Sequence, residues 1–228
     1  MKNIYSNIFK FNKNSLSKCV KYLKKNEVVA LPTETVYGLG GNAYSRSTVL
    51  KIYKIKKRPK SNPLIIHYSN YKNAMKDVEI NKNFIKLYKR FSPGPITFIL
   101  KKRKNSLIST LATAKLNTVA IRFPSDIKIR KILKKIDFPL AMPSANISSK
   151  ISPVDARDVF EEFGKKIKII IDGGRSKIGV ESTVLDLTEG FKILRPGAIS
   201  AKQINKIIKK KAHVVKNHQK IKSPGSQK

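Results

Sequence analysis

A buried strand gives way to a polar loop within EVVALPTETVYG, residues 27–38. The apolar run EVVAL predicts a β-strand that ends at Pro32, because proline cannot donate to a strand ladder. Two hydroxyls, a carboxylate and a phenol follow before Gly38, which lets the backbone turn closely. Ligands of α/β folds bind at such strand ends, although a polar turn with helix-capping threonines would have the same composition. We therefore expect a sheet strand here, followed by a candidate site.

Apolar spacing on both sides of this stretch predicts alternating helices and strands. We expect helices over residues 15–26, 46–57, 83–91, 154–163 and 201–210, and further strands over residues 64–68, 96–101, 118–123, 140–143, 167–171, 183–187 and 191–194. The fourth helix has Asp155 in its first turn, where a negative charge suits the helix dipole, and Gly164 at its end. Short apolar strands alternating with helices predict an α/β layered domain with a mixed sheet.

Length and cysteine content narrow the class of protein. The 228 residues fit one sizeable domain, and no apolar run approaches the roughly 18 residues of a membrane span. The N-terminus lacks a charged-then-apolar signal pattern, so we expect a cytoplasmic protein. The single cysteine, Cys19, excludes internal disulfides and argues against a cysteine metal site. Its helical spacing with Leu16 and Leu23 indicates packing rather than nucleophilic chemistry.

The net charge of +35 has two explanations that the sequence leaves open. The excess is almost all lysine, and lysine, asparagine and isoleucine share A/T-rich codons, so codon bias alone would produce it. A positive surface of this size is also typical of proteins that bind nucleic acid. In either case the field attracts ATP or RNA.

Cations and small polar residues cluster near several strand ends. KKRPKSNPL, residues 56–64, places lysine and arginine at a helix C-terminus, where they would suit phosphate or form a solvated basic turn. PSANIS (143–148) and GVESTV (179–184) supply hydroxyls and an amide. Arg122 lies among apolar residues of TVAIRFP, so it needs an anionic partner if buried or else faces solvent. Arg195, before a Pro-Gly pair, is similar. His67 is either part of this pocket or a packing residue.

Other chemistries are excluded by spacing. Gly38, Gly40 and Ala43 match G-x-G-x-x-A, but six residues separate them from the strand end and no acid follows at positions 56–64. The chain contains no Walker loop, no Ser-His-Asp order, no paired carboxylates and no metal-ligand spacing. A pocket of this composition would hold anions and catalyse by proximity and charge neutralisation.

Seven stretches, in this order, resemble the YrdC-like family of L-threonylcarbamoyl-AMP synthases: PTETVYGL, KIKKRPKSNPLIIH, SPGPITFIL, TVAIRFP, PSANIS, GVESTVLDL and ILRPG. The resemblance implies a twisted mixed sheet with flanking helices and a basic concave face. It implies condensation of L-threonine, bicarbonate and ATP to threonylcarbamoyl-AMP and pyrophosphate, with Mg²⁺. Partner proteins would then transfer the threonylcarbamoyl group to adenosine beside the tRNA anticodon.

The resemblance also implies site residues. Lys56 and Arg58 would face phosphates as the catalytic cations. The rest of the ATP site would be Asn62, Thr118, Ser144, Asn146, Ser152 and Arg195. Threonine and its carbamoyl group would be held by Thr35, His67, Arg122, Ser182 and the backbone near Met142. No protein ligand to a metal is implied.

The C-terminal region leads to further expectations. We expect a catalytic domain over residues 1–210 and a basic, flexible tail over residues 211–228. Longer relatives continue into a linker that closes over ATP and a second domain, so Ser223-Pro224-Gly225 is either a linker relic or the start of a lost domain. The alternative function is a non-enzymatic module that binds tRNA or double-stranded RNA. A carbamoyl-transfer domain like that of hydrogenase-maturation proteins would require acylphosphatase and zinc-finger regions.

Overall fold

Strands from the whole chain join one mixed sheet in the computed structural model, which describes residues 5–209 and 212–215. The strands are β1 (Ile8–Lys10), β2 (Val29–Leu31), β3 (Gly38–Asn42), β4 (Ile65–His67), β5 (Ile96–Lys101), β6 (Thr118–Arg122), β7 (Leu140–Ala141), β8 (Ile170–Asp172), β9 (Thr183–Asp186), β10 (Lys192–Arg195) and β11 (His213–Val214). The helices are α1 (Lys13–Lys24), α2 (Arg46–Lys56), α3 (Tyr71–Ala74), α4 (Lys82–Phe91), α5 (Ile127–Leu133), α6 (Ala156–Phe163) and α7 (Ala201–Ile208).

The strand order is β1-β8-β2-β3-β7-β4-β6-β5-β9-β10-β11. The sheet contains both parallel pairs, such as β4 with β6, and antiparallel pairs, such as β5 with β6. One core cluster joins α2, α4, α6 and α7 to the sheet, and a second joins α1 and α5 to it. This architecture confirms the predicted α/β class, with a mixed sheet and flanking helices.

Strand β3, with the sequence GLGGN, was not predicted because glycine is depleted in strands. Close neighbours explain its composition. A Cβ on Gly38 would lie 2.7 Å from Met142 Cγ, and a Cβ on Gly41 would lie 2.3 Å from Thr48 Cγ2. The glycines that suggested a nucleotide fingerprint therefore serve close packing.

Helix α1 confirms the packing role predicted for Cys19. The thiol is fully buried in the cluster that contains Leu16 and Leu23, and burial raises the pKa of Cys19 to about 12. A thiol with so high a pKa is a poor nucleophile at neutral pH.

Two residues within the predicted flexible tail form a short strand, β11. His213 and Val214 pair in parallel with Lys192 and Ile193 of β10, because the chain returns to the free edge of that strand after α7. Residues 210, 211 and 216–228, which include most of the predicted tail, lie outside the described residues. Within residues 5–209 and 212–215, no helix has the length and apolar character needed to cross a bilayer.

Candidate active site

A cavity lies where several strands and their adjoining loops meet. It is lined by Thr33, Val36, Tyr37, Gly38, Arg58, Ile65, His67, Arg122, Met142, Pro143, Ser144, Glu181, Ser182 and Arg195. Seven of these residues were predicted site residues: Arg58, His67, Arg122, Met142, Ser144, Ser182 and Arg195. Residues predicted for phosphate and residues predicted for threonine therefore both occur in the lining of this cavity.

Strand register places His67 and Arg122 side by side. They occupy paired positions on the adjacent parallel strands β4 and β6, so their side chains project from the same face of the sheet. Both are almost fully buried. A buried arginine beside a buried histidine marks the deep end of the cavity.

Arg122 has its anionic partner within the protein. Its Nη2 donates to Glu34 Oε1 and to Thr35 Oγ1, at 2.8 Å in each case. The side chains of the ion pair are only 5% and 7% exposed, so the charges compensate each other away from water. Glu34 Oε2 in turn accepts from the backbone nitrogen of Ser125 at 3.1 Å. The loop after β2 thus holds one edge of the guanidinium.

The remaining polar atoms here lack protein partners. Arg122 Nε and both ring nitrogens of His67 are buried and have no hydrogen-bond partner among the described residues. Unsatisfied buried donors are costly, and a bound ligand is one way to satisfy them. Burial, and next the Arg122 charge, hold the pKa of His67 well below its ordinary value, against a smaller opposing effect of the Ile65 carbonyl. His67 is therefore a neutral ring at physiological pH.

Replacement of His67 by glutamine should flatten the acid side of the stability profile. Because the folded-state pKa lies below the ordinary value of 6.5, the unfolded chain takes up a proton that the folded chain does not. Wild-type stability should fall below about pH 6.5 with a contribution of up to about 1.4 kcal/mol per pH unit. Urea unfolding between pH 5 and pH 7 measures this slope. Equal slopes of the unfolding free energy against pH in wild type and His67→Gln would contradict a lowered pKa of His67 in the folded chain.

Arg58 also lines the cavity and follows α2 in the chain. Its Nε donates to the Asn62 carbonyl at 3.0 Å, and its Nη2 donates to Asn62 Oδ1 and to the Pro63 carbonyl. Asn62 is thus a buried support for Arg58 in this structure and does not itself line the cavity. Burial lowers the pKa of Arg58 to about 10, which leaves the guanidinium charged at neutral pH.

Lys56 differs from its predicted position. Its side chain is 1% exposed and does not line the cavity, because Nζ points into the loop after β7. There it donates to the carbonyl oxygens of Ser144, at 2.6 Å, and Asn146, and lies 3.4 Å from Asn146 Oδ1. Burial, and next the Arg58 charge, lower the pKa of Lys56 to about 7. In this structure Lys56 fixes the loop that carries Ser144.

Glu181 joins Arg195 and Ser152 at the cavity rim. Arg195 Nη1 forms an ion pair with Glu181, and Ser152 Oγ donates to Glu181 Oε1 at 2.9 Å. Arg195 Nη2 also donates to the carbonyl and the hydroxyl of Ser182, at 2.9 and 3.1 Å. Gly197 permits this close packing, since a Cβ there would lie 2.4 Å from the Glu181 carbonyl oxygen.

The other predicted residues lie behind or beyond the lining. Thr35, Asn62 and Ser152 contact lining residues, and Asn146 contacts Lys56. Thr118 is on the same face of β6 as Arg122 but four residues away, about 13 Å along the strand, and does not line the cavity. Glu34 and Glu181 received no role from sequence reasoning. The sequence feature that could have pointed to them is the small number of acidic residues, since the chain has only 14 Asp and Glu.

The donors for a metal ion are sparse. Residues 5–209 and 212–215 contain no group of three or more His, Cys, Asp or Glu side chains that could hold a metal ion. Glu181 is the one carboxylate among the residues that line the cavity. Mg²⁺ usually binds through one or two carboxylates, substrate phosphates and water. The site therefore fits an ion that arrives with a phosphate ligand.

The sequence matches one protein family model and enzymes that share one name. The Sua5/YciO/YrdC family model, described as telomere recombination, matches residues 21–197. The threonylcarbamoyl-AMP synthase of Pyrococcus abyssi is 44% identical over 189 residues, which cover 82% of this chain and 55% of that protein. The enzyme of the same name from Bacillus subtilis is 42% identical over 200 residues, with coverages of 86% and 57%.

A solved structure agrees with these matches. P. abyssi Sua5 complexed with L-threonine matches with a TM-score of 0.91 and 37% identity, over 97% of this chain and 67% of that chain. The chain spans little more than half the length of the two curated relatives described above. The family match covers most of the chain, and the fold agrees with it throughout. This chain belongs to the Sua5/YciO/YrdC family.

Proposed function

We propose that this chain is an L-threonylcarbamoyl-AMP synthase, which condenses L-threonine, bicarbonate and ATP. One observation carries the proposal. Buried, unpartnered nitrogens of Arg122 and His67 share a cavity with the cations Arg58 and Arg195. This arrangement suits a small carboxylate ligand placed beside a polyphosphate. The names of the relatives support the same activity.

The threonine subsite would lie at the deep end. Arg122 Nε would donate to the threonine carboxylate, while Glu34 and Thr35 keep holding the opposite edge of the guanidinium. Neutral His67 can donate through one ring nitrogen and accept through the other, which suits a hydroxyl or a carbamate. Ser182, held by Thr97 Oγ1 at 2.8 Å, offers a further hydroxyl.

The nucleotide subsite would use Arg58, Arg195 and Ser144. In the proposed reaction the threonine amine and bicarbonate form a carbamate with loss of water. A carbamate oxygen then attacks the α-phosphorus, and the bond to pyrophosphate breaks. The two arginines would stabilise the charge that develops on the phosphate oxygens. Mg²⁺ bound by the phosphates, with Glu181 nearby, would supply further neutralisation of the leaving pyrophosphate.

We also propose that the product passes to threonylcarbamoyl-transfer proteins that act on tRNA, in the cytoplasm. Adenylates are reactive mixed anhydrides, so an acceptor reaction must follow promptly. The net charge of +35 is consistent with an RNA-containing destination.

Pyrophosphate release tests the proposal. The purified chain, supplied with L-threonine, bicarbonate and Mg-ATP, should release pyrophosphate and form threonylcarbamoyl-AMP, detectable by mass. Omission of threonine should remove the signal. Salt-sensitive tRNA binding without any turnover would favour the RNA-binding alternative instead.

A further inference from the structure

Side chains predicted to hold ATP converge on a carboxylate in this structure. Arg195 pairs with Glu181, and Ser152 donates to it. Glu181 thus receives the kind of contacts that a phosphate oxygen would receive from these residues.

The carboxylate is ionised and accessible. Burial by itself would raise the pKa of Glu181, but the Arg195 charge, the Ser152 hydroxyl and the Lys56 charge outweigh burial and lower it. The Glu181 side chain keeps 31% of its surface exposed. Gly179, with φ of 76°, and exposed Val180 precede it. The group therefore carries its charge in the cavity lining and is partly accessible to solvent.

A bare polyphosphate and a metal-bound one meet this carboxylate differently. A bare phosphate must compete with Glu181 for Arg195 and Ser152, and like charges repel strongly in a partly dehydrated site. A divalent cation between the two anions turns this repulsion into attraction. Mg²⁺ has the required preference for a carboxylate combined with phosphate oxygens.

We propose that Glu181 is a specificity-determining residue of the nucleotide site, which disfavours bare polyphosphate and favours polyphosphate that carries a divalent cation. The inference rests on the proposed function, because it takes the Arg58 and Arg195 end of the cavity as the nucleotide site. It goes beyond that function by giving a carboxylate the task of selecting the charge state of the ligand.

Calorimetric titration of ATP into the full chain tests the inference. Dissociation constants are measured in EDTA and in excess MgCl₂ for wild type, Glu181→Gln and Glu189→Gln. Glu189 is 82% exposed and pairs with Lys192, so its substitution matches the change in net charge away from the cavity. Wild type and Glu189→Gln should bind ATP at least about tenfold more tightly with magnesium. Glu181→Gln should bind metal-free ATP about tenfold more tightly than Glu189→Gln and lose most of the magnesium advantage.

The quantity to compare between variants is the ratio of the dissociation constant for ATP in EDTA to that in MgCl₂. A partly unfolded sample lowers the number of binding sites but leaves this ratio unchanged. A second variant, Glu181→Ala, should show the same reduced ratio. The inference is overturned if the Glu181 variants keep the wild-type ratio, or if the wild-type chain binds no ATP. A wild-type chain that shows the expected metal dependence but makes no threonine-dependent pyrophosphate would contradict the proposed function alone.

Discussion

Substitution of Arg122 by alanine should raise the KM for L-threonine by about ten- to a hundredfold. Charge-assisted hydrogen bonds are worth about 1.5–3 kcal/mol each, and the proposed threonine carboxylate would lose its only buried arginine among the described residues that line the cavity. The KM for ATP should change much less, since Arg58 and Arg195 remain. Threonine-dependent pyrophosphate release measures both constants.

The same substitution should destabilise the fold, which calls for a control. Glu34 would be left as a buried, uncompensated carboxylate, at a cost of about 3–5 kcal/mol. The double variant Glu34→Gln, Arg122→Gln removes both charges and should recover most of the unfolding free energy without recovering threonine binding. Arg157→Ala, which removes an exposed arginine outside the cavity, should retain activity. A wild-type threonine KM in either Arg122 variant would disprove the subsite.

The local spacing of apolar and polar residues was sufficient to predict most helices and strands of the fold. Strand β5 has the predicted bounds, Ile96–Lys101, because an unbroken apolar run ends there in charged residues. Helix α6 begins after Asp155, which was predicted in the first turn and is instead the N-cap, with its side chain accepting from the next backbone nitrogens. The elements that were missed are β1, β3, α3, α5 and β11. The glycines of β3 depend on side chains from distant segments, and α5 is a short helix of only seven residues.

Several contacts in the candidate site could not be predicted from the sequence. It identified that a buried Arg122 requires an anion, but not that Glu34, 88 residues earlier, supplies one. The family resemblance assigned His67 and Arg122 to the same ligand, but only the sheet pairing shows that the two side chains lie side by side. The direction of the Lys56 side chain could not be predicted from the sequence either, because a lysine at a helix C-terminus can turn outward to phosphate or inward to carbonyl groups. Pairing over long sequence separations depends on register and packing, which local patterns do not encode.

Substitution of Lys56 by methionine should lower both stability and activity. The buried ammonium donates to two carbonyl oxygens of the loop after β7, and those acceptors would be left without it. We expect the unfolding free energy to fall by about 3 kcal/mol, because two buried carbonyl oxygens lose their donor. The loop carries Ser144 and Asn146, so turnover should fall at least about tenfold as the nucleotide end of the cavity loses its shape.

Comparison with Lys54→Met separates the two roles of Lys56. Lys54 is exposed on the same helix, so Lys54→Met makes the same side-chain change without touching the loop, and it should leave the unfolding free energy within about 0.5 kcal/mol of wild type. Urea unfolding and the KM for ATP are measured for both variants. If Lys56→Met raises the ATP KM while its unfolding free energy matches Lys54→Met, Lys56 contacts phosphate in the working enzyme, as the sequence predicted. If both quantities change, the ammonium acts by holding the loop, because a phosphate contact alone would not stabilise the empty protein.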